Sequence, residues 1–284
     1  CTVATACNYD VDATLDDGSC DFCSCSGPGG EEVPYPLVVE ASPSVLEGMT
    51  VYRFYVQLQD STDRVSAVYG EDNEFLSIQC PEGAYNNDLN PGWNASGLTP
   101  ALFGNYPELA DDSYGTIGLE GPASTSGLAA AADASIVEDE NQPILPFFLE
   151  NETTDLLSNT VTGASWYILN TASNGLADDN GRVLVLQVTT PGSLSGQLNY
   201  QVFPLGVGAD QEQVSVSFDG VGVFGGEAPE INCGCTDDGA ANFDPDAEYD
   251  DGSCEFEDAS DITHSKLIDL YLRSNSYLSN RKGD

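Results

Sequence analysis

The 284 residues carry 47 Asp and Glu against 7 Lys and Arg, a formal charge of −40 with a single histidine. Phosphate recognition draws on Lys and Arg, so nucleic acid is excluded as a partner and an anionic membrane surface is disfavoured. A hydrophobic fraction of 40% still supplies a core, so the charge does not imply disorder; it suits cations, calcium above all. No run of about 18 apolar residues occurs, and no membrane insertion is expected. A chain that opens on Cys1 reads as a processed N-terminus, a lipoprotein start or a segment boundary.

Residues 1–25 form a short Cys- and Asp-rich segment. Asn8, Asp10 and Asp12 stand at alternate positions, followed by Asp16 and Asp17 in the run Asp-Asp-Gly-Ser-Cys. Residues 26–232 change character. Val51–Leu58 mixes β-branched and aromatic residues, Arg182–Thr189 reads as a buried strand, and Leu198–Phe203 and Gln213–Phe218 alternate with period two. Clusters of Gly, Pro, Asn and Asp separate them, including Asp179-Asn180-Gly181 ahead of a strand. Helical period is rare, and Gly127–Val137 with its five alanines is the main helix candidate. The expected fold class is therefore mainly β, a central jelly-roll-like β-sandwich. Asn94-Ala95-Ser96 and Asn151-Glu152-Thr153 fit the glycosylation acceptor pattern.

Residues 233–258 repeat the opening segment. The twenty residues from Cys235 align without a gap on the twenty from Cys1, with twelve identities, placing Asn242, Asp244, Asp246, Asp250 and Asp251 on the five positions above. Residues 259–284 then reverse the charge, with Lys266, Arg273, Arg281 and Lys282 beside an apolar stripe that includes Leu267, Leu270 and Tyr271. A short amphipathic helix capped near Ser260 or Asp261 is expected, either packing on its own sandwich or, through Leu267, Leu270, Tyr271 and Arg273, contacting another subunit.

Calcium takes six to eight oxygens, and alternating Asp and Asn side chains supply them from a short loop. Carboxylates so close together repel one another unless a cation lies among them; the bland alternative is a solvated turn closed by a disulfide. Each module is too small for a core, which leaves cross-links and metal to hold it. Superposing the two copies pairs Cys1 with Cys20 and Cys235 with Cys254. Cys7 is expected to join Cys23, and Cys25 to join Cys233; Cys80 is left as a buried thiol or an intermolecular bridge.

The shared string C-T-x3-A-x-N-x-D-x-D-A-x2-D-D-G-S-C resembles the calcium loops of thrombospondin type 3 repeats. It is still more similar to the repeats of large secreted surface proteins of marine microbes. The resemblance covers about 20 residues in each copy and implies calcium, disulfides and an extracellular structural setting, with no catalytic activity. The gap between Asp12 and Asp16 is wider than in a type 3 repeat.

Enzyme signatures are weak. His264 is the only histidine, which leaves no second one for a two-His metal site, and Gly220–Gly226 lacks phosphate-loop spacing and reads as a strand-end turn. The carboxylate pairs Asp111/Asp112 and Asp178/Asp179 fit chance adjacency in so acidic a chain, and Trp93 and Trp166 fit a core better than a sugar platform. The expected function is a non-enzymatic extracellular subunit of a calcium-stabilised filament or surface appendage, whose partners are copies of itself joined head to tail. The alternative is a calcium-dependent adhesin or glycan-binding module of a larger secreted protein.

Overall fold

A computed structural model describes Leu15, Cys20 and residues 33–226, 233–247 and 249–256. Apart from Leu15 and Cys20, the first module lies outside the described residues, as does the tail from residue 257 with His264. The described residues divide into two compact units, 33–226 with Leu15 and Cys20, and 233–256.

The first unit is mainly β, and every strand pair in it is antiparallel. Its strands are β1 (Leu37–Pro43), β2 (Thr50–Gln57), β3 (Arg64–Gly70), β4 (Leu76–Ala84), β5 (Tyr114–Gly115) and β6 (Ser135–Val137). After the single α-helix, α1 (Leu145–Leu149), come β7 (Thr153–Ser158), β8 (Ala164–Tyr167), β9 (Arg182–Thr190), β10 (Ser195–Phe203), β11 (Glu212–Asp219) and β12 (Gly222–Phe224). One sheet has the order β12-β1-β2-β9-β5. In the other, β10 pairs with β11 on one edge and with both β3 and β4 on the opposite edge.

That second sheet is built from interrupted strands. β3 and β4 run on from one another along β10, and β8 and β7 run back along them, with both breaks at one level. Gly163 makes the crossing possible. Its φ is +65°, and a Cβ there would come within 2.2 Å of the Gly70 carbonyl oxygen, which accepts the Ser158 hydroxyl at 3.0 Å. Asn199, fully buried on β10, braces the same break. Its Nδ2 donates to the carbonyls of Tyr69 and Glu74 at 3.2 and 2.8 Å, and its Oδ1 accepts from Ser215 Oγ and Gln197 Nε2. A buried amide is tolerated because both its donor and its acceptor are matched.

One buried cluster draws on both sheets. Leu37, Val39, Phe54, Val56, Val183 and Val188 come from the first, and Val68, Leu76, Ile78, Leu198, Tyr200 and Val216 from the second. Trp166 is completely buried on β8, in the second sheet, and its indole N–H reaches the carbonyls of Thr116 and Val185 beside the first. Val185 is presented by a bulge, since Phe54 faces Leu186 while Tyr55 faces Leu184 and leaves one residue of β9 unmatched.

The strands differ in pattern because their surroundings differ. β11 alternates exposed and buried residues from Glu212 to Asp219, as a strand with one wet face does. β9 is buried from Val183 to Thr190. A second cluster of Leu98, Leu109, Tyr114 and Leu119 packs on Tyr55 and Leu184, so the outer face of the first sheet is covered near β9.

The helix expected at Gly127–Val137 does not form. Gly127 and Ala130 take φ of +78° and +62°, and Ser135–Val137 is strand β6. The alanine backbone is held by side-chain amides instead. Ala132 exchanges both its hydrogen bonds with Asn174, and the Ala134 carbonyl accepts Asn94 Nδ2. These contacts satisfy groups that a helix would have paired internally, and alanine propensity loses to them.

Candidate functional site

The second module, Cys233–Phe256, has no apolar core. Cys235 and Cys254 form a disulfide with Cα atoms 4.7 Å apart. Two short strands, β13 (Cys233–Gly234) and β14 (Tyr249–Asp250), pair in parallel, and Cys235 bridges Phe243. Cys233 is also disulfide-bonded, as is Cys20 of the first module. Cys1, Cys7, Cys23 and Cys25 lie outside the described residues, as do Asn8, Asp10, Asp12, Asp16 and Asp17.

The conserved-looking letters of the repeat take distinct jobs in this copy. Asn242 is a brace: Nδ2 donates to the Ser253 carbonyl and Oδ1 accepts the Glu255 N–H, both at 2.7 Å, tying the loop to the segment that follows Asp-Asp-Gly. Asp244 Oδ1 accepts Asp246 N–H, Asp250 Oδ1 accepts Gly252 N–H, and Asp251 Oδ1 accepts Ser253 N–H, at 2.9–3.0 Å. Each of these three carboxylates therefore fixes a turn with one oxygen. The Ser253 hydroxyl and N–H hold the Asp251 carboxyl below its ordinary range. Asp246, Asp250 and Asp251 are exposed and Asp244 is partly so. Among the described residues no three His, Cys, Asp or Glu side chains converge as a metal-binding group. The donor set is hard oxygen, which suits calcium; the turn geometry orders the loop by its own hydrogen bonds.

The other singled-out residues are distributed through the first unit. Asn94 is 8% exposed, accepts from Ser96 N–H and Oγ, and donates Nδ2 to Ala134 O at 2.9 Å. The nitrogen that would carry a glycan is thus engaged within the fold. Asn151 is exposed, with Oδ1 accepting Asn86 N–H. Cys80 is a buried thiol: Sγ donates to the Thr153 carbonyl, and burial, with Asp155 and Glu82 nearby, raises its pKa to about 11. Trp166 is core, and Trp93 is half-buried, packed on Phe148 with the ring centroids 6.4 Å apart.

Asp111 and Asp112 serve different partners, and Asp178 serves a turn. Asp111 Oδ2 accepts Ser44 Oγ and Val45 N–H, whereas Asp112 is 1% exposed and accepts Asn87 N–H and Asn90 Nδ2 at 2.6 Å each. Asp178 Oδ1 serves the turn before β9 by accepting from Asn180 and Arg182 N–H. Asp112, in sequence only one of a pair that fits chance adjacency, is the buried carboxylate of the two. It sits among Asn86, Asn87 and Asn90 under a loop with no hydrophobic period, so no pattern announced its burial.

Burial outweighs the three hydrogen bonds and lifts the Asp112 carboxyl far above its ordinary range, to about 7. The folded pKa exceeds the unfolded one, so the folded state binds the proton more tightly between these values. Its contribution to stability is fully present near pH 4 and is lost as pH rises through about 7. Between pH 5 and pH 8 the chain is expected to lose about 2 kcal/mol through this group. Urea melts at the two pH values check it, because Asp112→Asn should flatten that difference.

No protein family, curated protein or solved structure matches this chain. No helix of the described residues is long and apolar enough to cross a membrane.

The three cations among the described residues are all held internally. Arg53 Nε donates to Gln187 and its guanidinium meets Glu120; Arg182 pairs with Glu40 and lies 4.1 Å over the Tyr55 ring; Arg64 donates to the carbonyls of Asn170 and Ala172.

Proposed function

We propose that this chain is a non-enzymatic, extracellular structural subunit of a calcium-stabilised filament or surface appendage. Two copies of one Cys- and Asp-rich module flank a β domain that we read as a jelly-roll-like sandwich. The observation that carries the proposal is that duplication, together with the Cys235–Cys254 disulfide of the second copy. A disulfide implies an oxidising compartment. Asp244, Asp246, Asp250 and Asp251 would hold calcium in the second module, with Asn242 bracing the loop. Asp10, Asp12, Asp16 and Asp17 would do so in the first, with Asn8 in the matching position. Like modules before and after the β domain in the sequence suit head-to-tail contacts, which are heterologous and build open chains of subunits. The basic segment 259–284 would add a contact to the neighbouring subunit.

Electron microscopy of the purified protein in calcium and in chelator tests this. Filaments in calcium that shorten or disperse in chelator are expected, with about two bound calcium ions per chain by native mass spectrometry. Monomers under both conditions would sink the filament reading, and a calcium count near zero would remove the metal from it.

A further inference from the structure

At one end of the second sheet the chain breaks a local rule. Pro204–Val207 is a tight turn closed by Val207 N–H on the Pro204 carbonyl at 2.9 Å, with φ of +52° at Leu205 and +70° at Gly206. Two successive positive φ values suit Asn, Asp or Gly at the first central position, because a Cβ there crowds the backbone. Leu205 bears that strain and is 62% exposed, so burial does not offset it. Strain held in place at an exposed apolar residue is a mark of function.

The turn is held from beneath. Asp63, 2% exposed, accepts Leu205 N–H on Oδ1 at 2.8 Å and Asp60 N–H on Oδ2 at 2.9 Å. Asn170 Nδ2 donates to the Gly206 carbonyl at 2.9 Å, which sets the neighbouring loop alongside. That loop carries Leu169, 71% exposed, and the turn itself ends on Val207, 43% exposed. The exposed acids Asp60, Asp210 and Glu212 belong to the same end of the sheet. Burial and then the buried Asp63 and the exposed Glu212 and Asp60 push the Tyr35 hydroxyl up to about 12.

We propose that Leu169, Leu205 and Val207 form a preorganised acceptor for the basic amphipathic segment 259–284 of a second copy. The argument is one of complementarity. The patch is apolar with an acidic rim, and the three arginines of the described residues are already held internally. The segment 259–284 supplies the other four of the chain's seven bases beside an apolar stripe. A patch fixed by Asp63 and Asn170 loses little freedom when it is covered. The inference rests on the head-to-tail reading above and names the surface that reading leaves open.

The test is sedimentation of the full chain in calcium at low salt. Leu205→Gly should leave the thermal midpoint unchanged or higher, because it relieves the backbone, while weakening self-association at least tenfold. Leu169→Ser should weaken association to a similar degree, and Leu149→Ser, an exposed change on α1, should not. Deleting 259–284 should match Leu205→Gly, with no further loss when the two are combined. Association that survives both patch variants but not the deletion overturns the acceptor and leaves the filament reading standing. Patch variants that act while the deletion does not overturn the choice of occupant. A wild-type chain that stays monomeric in calcium overturns both.

Discussion

Replacing Trp166 by alanine is expected to lower the unfolding free energy of the β unit by about 4 kcal/mol, the range for truncating a fully buried tryptophan. The indole is completely buried and meets Phe148 edge-on, with the ring centroids 6.0 Å apart. Its N–H also donates to the carbonyls of Thr116 and of Val185 on β9, at 3.2 and 3.1 Å. Thr116 N–H also donates to the Val185 carbonyl, so truncation leaves that oxygen satisfied while Thr116 O loses the indole. Trp166→Phe keeps most of the ring packing and loses the N–H, so it should cost about 1–2 kcal/mol less than the alanine change. Urea midpoints with unchanged slope check both, and a loss under 1 kcal/mol for Trp166→Ala would contradict the bridging role.

The second large effect concerns the module. Removing the Cys235–Cys254 disulfide, by Cys235→Ser with Cys254→Ser, is expected to destabilise residues 233–256 by about 3 kcal/mol, the loop-closure value for a separation of 19. The module has short strands and turn-forming carboxylates in place of a core, so this loss should open it as a unit. Hydrogen exchange across 233–256 should rise while the melting of the β unit stays where it was. Protection that survives in both segments would mean that the hydrogen bonds of Asn242 and the remaining disulfide of Cys233 hold the module by themselves.

Strand content was legible where one physical cause dominates. The alternation at Gln213–Phe218 needs only one wet and one dry face, and it appears as β11. The apolar run at Arg182–Thr189 requires cover on both sides, and β9 has it. Gly220–Gly226 was expected as a strand-end turn, and it contains both the turn and the short strand β12 that pairs with β1. The alanine-rich segment misled because helix propensity is a weak local preference. Asn174 and Asn94, 40 or more residues away in sequence from the alanines they hold, offered the backbone other partners. The triplet at Asn94 makes a related point: a short pattern carries no information about burial, and this asparagine is 8% exposed.

The candidate site divides in the same way. Periodicity and duplication in the chain itself determined that there are two like modules, which cysteines of the second copy join, and where the strongest strands run. Pairing Cys235 with Cys254 needed only the internal repeat, because two copies of one loop must close alike. Only the tertiary structure decided that Asn242 is a brace, that Asp112 is buried and titrates high, and that Leu205 stands strained and exposed. Those three facts depend on groups brought together from distant parts of the chain or on the backbone angle at one turn. Local sequence encodes which residues alternate and repeat, whereas the free energy of a carboxylate or an amide is set by whatever the fold places around it.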